Sequence, residues 1–145
     1  MDFFTSLDIS SSALTAERTR MNLISSNIAN ANATRTQEGG PYKRKDAVFA
    51  ATPVTDGFGR TLDGIAGKNL RQVSVAEIVE DKRQPRMQYD PNHPDADPQG
   101  YVAMPNVNVV EEMADMITAS RVYEANVMSA QAAKNMALKT LEISK

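Results

Sequence analysis

Residues 107–143 read VNVVEEMADMITASRVYEANVMSAQAAKNMALKTLEI, a run without glycine or proline. Those two residues punctuate helices, so their absence predicts one long helix from Val107 to Ile143, about 55 Å at 1.5 Å per residue. Within it Val109, Met113, Met116, Ser120, Tyr123, Val127, Ala130, Ala137 and Leu141 follow alternating steps of four and three, with Lys134 as the main interruption. Ile117 and Leu138 widen the stripe, while Val110, Met128, Met136 and Ile143 lie beside or beyond it. More than one face is therefore expected to bury apolar surface. Asp115 and the Glu111-Glu112 pair stand early, and Lys139 and Lys145 late, an order that suits the helix macrodipole.

Working outward, all seven glycines and all seven prolines fall between Gly39 and Pro105. The chain therefore divides into a helix-compatible N-terminal stretch, a turn-rich middle and the C-terminal helix. In the first stretch Leu7, Leu14, Met21 and Ile28 recur every seven residues, flanked by Phe3, Phe4, Ile24 and Ala31. This predicts a helix from Phe3 to about Ala31, about 43 Å long. Ser10 and Glu17 stand where a second apolar row would run, so an isolated zipper is not expected. The small residues Ser11, Ser12 and Ala13 permit close approach of a partner helix.

The middle reads as short strands and turns: Ala47–Val54, Val73-Ser74-Val75, Ile78-Val79 and Arg86–Tyr89. Gly57, Gly59, Gly64 and Gly67 mark a loop or hairpin tip between the first two. The expected fold is mainly α with a small β-rich middle, its long N- and C-terminal helices paired as a coiled-coil-like hairpin. Residues 1–34 and 107–145 would form a terminal helical assembly domain, and residues 35–106 a small β-rich and loop module. Pairing within one monomer and pairing with neighbouring copies both satisfy this pattern. The excess of Met, Val and Ile on the longer helix favours partner subunits.

Composition narrows the function. The 145 residues carry a formal charge of −2, which gives no global pull toward nucleic acid. There is no cysteine, hence no disulfide framework or thiolate metal site. The segment from Met1 to Ser12 lacks the basic start of a cleavable signal, and composition leaves the compartment open; if the chain leaves the cytosol, a route without such a signal is needed. No run of about 18 apolar residues predicts a membrane-spanning helix.

Four local features carry possible chemistry. Tyr42-Lys43-Arg44-Lys45 joins an aromatic to three cations, but Asp46 and Glu38 flank it and no second basic cluster follows. Asp90-Pro91-Asn92-His93-Pro94-Asp95-Ala96-Asp97-Pro98 holds the only histidine beside three carboxylates. Its prolines and Asx side chains read as a stiffened loop rather than a metal or acid–base site. Asn27 and Asn30 lie three residues apart on one helical face, as a helix cap or as buried amides that fix register between packed helices. Tyr123-Glu124-Ala125-Asn126 offers the same device on the second helix. No catalytic residue, metal or cofactor is expected.

The segments Ser26-Asn27-Ile28-Ala29-Asn30-Ala31-Asn32-Ala33-Thr34, Val107–Met113 and Ser120–Asn126 resemble the axial proteins of the bacterial flagellar rod and hook. Gly40-Pro41-Tyr42-Lys43, Tyr89-Asp90-Pro91 and Gly100–Val107 are similar to motifs of a proximal-rod member of that family. The resemblance covers nearly the whole chain. It departs at Ala13, where glycine is common, and in a lengthened turn from Arg35 to Gly40. It implies a non-enzymatic rod subunit, exported by the flagellar type III apparatus and assembled in the periplasm. Its implied neighbours are further copies of the chain and the rod proteins FlgB, FlgF and FliE. The expected helix-interface residues are Leu7, Leu14, Met21, Asn27, Ile28, Asn30, Val109, Met113, Met116, Ser120, Tyr123, Asn126, Val127, Ala130 and Leu141.

Overall fold

The computed structural model describes residues 3–53 and 70–143, with the side chains of Phe3 and Ile143 excluded. The glycine-marked loop at Gly57, Gly59, Gly64 and Gly67, together with Val54 and Lys145, lies outside the described residues. In chain order the elements are α1 (Phe3–Ala29), β1 (Lys45–Pro53), β2 (Arg71–Glu80), β3 (Arg86–Tyr89), β4 (Tyr101–Met104) and α2 (Val109–Ile143). In chain order two small strand pairs, β1 with β2 and β3 with β4, thus fall between the two helices.

The helices begin and end where local chemistry directs. Asn108 Oδ1 accepts the Val110 amide at 3.2 Å and so caps the start of α2. In α1 the hydroxyls of Ser10, Thr15 and Thr19 bond back to the carbonyls of Ser6, Ser11 and Thr15, which satisfies them inside the helix. The second helix starts two residues later than the spacing predicts and the first ends two residues earlier. Beyond Ala29 the chain turns, with Ala33 N donating to Asn30 O at 3.0 Å.

Burial along α2 follows Val109, Glu112, Met116, Ala119, Tyr123, Asn126, Ala130, Ala133 and Ala137, all buried or half-buried. These steps alternate three and four, so the helix has a continuous inward seam. One of its two rows, Val109-Met116-Tyr123-Ala130-Ala137, is the row that apolar spacing identifies. The other is displaced by one position, onto Glu112, Ala119, Asn126 and Ala133. In α1 the most enclosed residues are Ser10, Ala16, Ile24 and Asn27, and Ala31 is buried just past its end. Leu7, Leu14, Met21 and Ile28 are half-buried beside them.

The described residues form two compact units. One draws on the described residues within Met1–Thr19, Val48–Glu77 and Ser120–Lys145. In it the β1–β2 pair runs antiparallel, since Thr52 Oγ1 donates to Gln72 O and Ser74 Oγ to Ala50 O, partner numbers falling as strand numbers rise. Ser12 Oγ of α1 accepts the Val73 amide of β2 at 3.2 Å. The Ser11-Ser12 stretch thus lets strand backbone reach the helix.

The other unit draws on Arg20–Ala47 and Ile78–Ala119. Its core holds Ile24, Ala31, Val102, Pro105, Val107 and Ala119. Strands β3 and β4 are antiparallel, with Met87 opposite Ala103 and Tyr89 opposite Tyr101. The β4 strand is absent from the sequence reading, because four residues running into Pro105 carry little periodic signal. The Tyr89 and Tyr101 rings meet edge to face, centroids 5.3 Å apart. Gly100 has φ +84°, and a Cβ there would lie 2.9 Å from the Tyr89 ring, so both backbone and packing require glycine.

Candidate assembly site

Asn27 sits in the last turns of α1 and is 1% exposed. Its Nδ2 donates to Lys45 O at 2.9 Å and to Glu112 Oε2 at 3.0 Å. Its Oδ1 accepts the Lys45 amide and the Tyr42 hydroxyl, each at 3.0 Å. An asparagine amide has two N–H donors and two lone pairs, and all four are used. Toward Lys45 it acts as a strand neighbour would, engaging both backbone groups of the first residue of β1.

Glu112, in the first turns of α2, is equally enclosed. Its second oxygen, Oε1, accepts from Arg44 Nε at 2.6 Å. Arg44 also donates to Asp46 Oδ2 at 3.0 Å and lies 3.9 Å from Asp115 Oδ2. Burial disfavours its charge, but the hydrogen bonds it donates to Glu112 and Asp46 outweigh that and hold its pKa above the usual guanidinium value. Arg20 of α1 approaches Asp115 at 3.9 Å. The end of α1, the start of β1 and the start of α2 therefore meet in one polar cluster.

The basic run is spent within the chain. Tyr42 serves Asn27, Arg44 serves Glu112, and Lys43 and Lys45 approach Glu80 at 3.7 and 3.6 Å. The two lysine pairs are largely exposed and contribute little to stability. The polar groups of the exposed acidic loop are also paired within the chain. Asp97 Oδ1 accepts the Gln99 and Tyr101 amides at 2.9 Å, His93 Nδ1 accepts the Asp95 amide at 3.1 Å, and Thr34 Oγ1 donates to Asp95 Oδ2 at 2.8 Å. Among the described residues no group of three or more histidine and carboxylate side chains could hold a metal ion.

The expected interface residues divide between two surfaces. Val109, Met116, Tyr123, Asn126 and Ala130 lie on the inward seam of α2, and Val127 is half-buried beside it. Asn126 Nδ2 donates to Val122 O at 3.0 Å within its own helix, and Asn30 Nδ2 likewise bonds Ser26 O at 2.8 Å. Met113, Ser120 and Leu141 are exposed. Sequence reading overlooked Arg44 and Glu112 as partners, because 68 residues separate them and neither is apolar. The Glu112 clue was its place one step from the expected row.

A second surface runs along the outside of α2. Val110, Met113 and Ile117 follow steps of three and four, and Met128 comes eleven residues later, about three turns, on the same face. All four are more than half exposed, Val110 at 75%. No described helix is long and apolar enough to cross a membrane.

Residues 7–35 match the model of the flagella basal body rod proteins, and residues 99–143 that of the flagellar basal body rod FlgEFG protein C-terminal region. Flagellar basal-body rod protein FlgC of Borreliella burgdorferi is 44% identical, the alignment covering 99% of this chain and 98% of that protein. The chain belongs to the FlgC family of flagellar basal-body rod proteins. The FlgC proteins of Bacillus subtilis, 41% identical over the full length of both chains, and of Salmonella typhimurium, 39% identical over 94% of this chain and 93% of that one, agree. The two matched segments contain the polar cluster's helical members: Asn27 lies in the first and Glu112 in the second. Arg44 lies between them.

Proposed function

We infer that the chain is a structural subunit of the flagellar basal-body rod, built into the proximal part of the torque-transmitting shaft by contacts along its terminal helices. The observation that carries this reading is the likeness to FlgC rod proteins over essentially the whole of both chains. The exposed Val110-Met113-Ile117 cluster at the start of α2 supports it, since neighbouring exposed apolar side chains on one helix face mark a surface for partners. No reaction is part of the role.

In this reading residues 1–34 and 107–145 act together as the assembly domain, α1 and α2 pairing in coiled-coil fashion, and residues 35–106 form the module between them. The Asn27–Glu112 bond supports an antiparallel arrangement, joining the end of one helix to the start of the other. The outward stripe then meets further copies and the neighbouring rod proteins FlgB, FlgF and FliE. Delivery is by the flagellar type III export apparatus without a cleaved signal, followed by assembly in the periplasm.

The test is complementation of a flagellated strain lacking its own FlgC. The native chain restores motility and co-purifies with basal bodies, whereas Leu14→Asp or Val127→Asp, by placing an unpaired charge on a helix contact, blocks rod assembly. Absence of the native chain from purified rods would sink the reading.

A further inference from the structure

Seven of the eight methionines are described with side chains, and they divide sharply by exposure. Met113, Met128 and Met136 on α2 are 53%, 67% and 65% exposed, and Met87 on β3 is 55% exposed. Met21, Met104 and Met116 are half-buried. Met113 and Met116 stand only three residues apart, yet one faces outward and the other belongs to the inward seam. A peroxide oxidises an accessible thioether by transferring one oxygen atom to sulfur; the sulfur gains the S–O bond, the peroxide O–O bond breaks, and water leaves. The product is a polar sulfoxide where an apolar, adaptable side chain stood.

We propose that Met113, Met128 and Met136, each exposed on α2, are oxidation-sensitive modification sites, and that a chain carrying sulfoxides there is excluded from assembly. The consequence for assembly rests on the rod reading above; the site selectivity does not. Met113 stands with Val110 and Ile117 on an exposed apolar face, and Met128 and Met136 are exposed further along the helix. Burying an unmatched sulfoxide oxygen against a neighbour weakens association by roughly tenfold per contact. Met87 is an internal control, equally accessible but on the β3–β4 pair. Once copies cover the outer face, its methionines are shielded, so the sensitivity belongs to the chain before assembly.

The experiment has two arms. The free full-length chain is treated with limiting hydrogen peroxide and mapped by peptide mass spectrometry. Met87, Met113, Met128 and Met136 should gain oxygen several-fold faster than Met21, Met104 and Met116; equal rates would overturn the assigned site. In the second arm, Met→Gln substitutions mimic the sulfoxide in a FlgC-deficient strain. The triple variant Met113→Gln, Met128→Gln, Met136→Gln should lose motility, while Met87→Gln and the triple Met→Leu variant keep it. Retained motility in the triple Gln variant, with the mapping as expected, would overturn the assembly consequence. If the native chain itself never enters rods, the rod reading fails and the map still decides the site.

Discussion

Asn27 and Glu112, 85 residues apart in the chain, share a buried hydrogen bond of 3.0 Å. Through it the end of α1 meets the start of α2, and through the same asparagine α1 holds both backbone groups of the first residue of β1. The bond belongs to a cluster in which every donor and acceptor of the amide is matched. Such a cluster fixes one arrangement by penalising every other.

Replacing Asn27 by Ala removes four hydrogen bonds and strands Glu112 Oε2 and both backbone groups of Lys45. The expected loss is about 3 kcal/mol, since each buried orphaned polar group costs about 1–3 kcal/mol and water re-enters part of the gap. Urea unfolding of the purified chain measures it. A loss below about 0.5 kcal/mol would mean that the cluster is ornamental to stability.

Arg44→Met leaves the Glu112 carboxylate enclosed with its strongest partner gone, a change expected to cost about 3–5 kcal/mol. Adding Glu112→Gln, which removes the stranded charge, should recover a substantial part. The double-mutant cycle decides the matter: additive losses would show that the two residues do not act as a pair.

Gly100→Ala forces a side chain into a left-handed backbone position and against the Tyr89 ring. The cost is expected to be about 1–3 kcal/mol, with the Tyr89–Tyr101 contact disturbed. Aromatic proton shifts of the two tyrosines report it, and unchanged shifts with unchanged stability would contradict the packing described.

Asp81 accepts from Arg83 Nε at 2.7 Å and from the Arg83 amide at 2.9 Å, and these hold its carboxyl below the usual carboxylate range. A carboxyl lowered on folding binds fewer protons in the native state than in the unfolded one. Its contribution is therefore present above the unfolded carboxylate pKa and lost as pH falls through the lowered native value. The pair is open to solvent, so the effect on stability is small. Carbon-detected NMR titration should give Asp81 a lower midpoint than its own value in an Arg83→Ala variant; identical midpoints would contradict the assignment.

Much of this fold is legible in the sequence because glycine and proline confine the turns to the middle, and only the inner ends of the two helices differ from the reading, by two residues each. Strand β1 is legible from its apolar run and β3 from its alternation, β2 is read as two short pieces that form one strand, Arg71–Glu80, and β4 hides in a four-residue stretch before Pro105. The inward seam of α2 is half legible. Val109, Met116, Tyr123 and Ala130 announce themselves by size and spacing, but the companion row is Glu112, Ala119, Asn126 and Ala133. Small or polar residues give no apolar signal, so the larger neighbours Met113 and Leu141 stand in for them in a reading by hydrophobicity. The same reasoning applies to α1, where Ser10 and Asn27 are more enclosed than Leu7 or Leu14. Close backbone approach selects small residues there, and side-chain hydrogen bonds satisfy the polar ones. The polar cluster itself depends on Arg44 meeting Glu112 across 68 residues, a pairing that no local pattern encodes.

The central claim is that α2 uses its inward seam to hold its own fold and its outward stripe to join the rod. Ile117→Asp tests it most directly, because Ile117 is 56% exposed and its replacement buries no charge in the isolated chain. Purified Ile117→Asp should unfold within about 0.5 kcal/mol of the native chain, as surface changes do. Expressed in a FlgC-deficient strain, it should be missing from isolated basal bodies. Basal bodies containing Ile117→Asp at the native level would contradict the account.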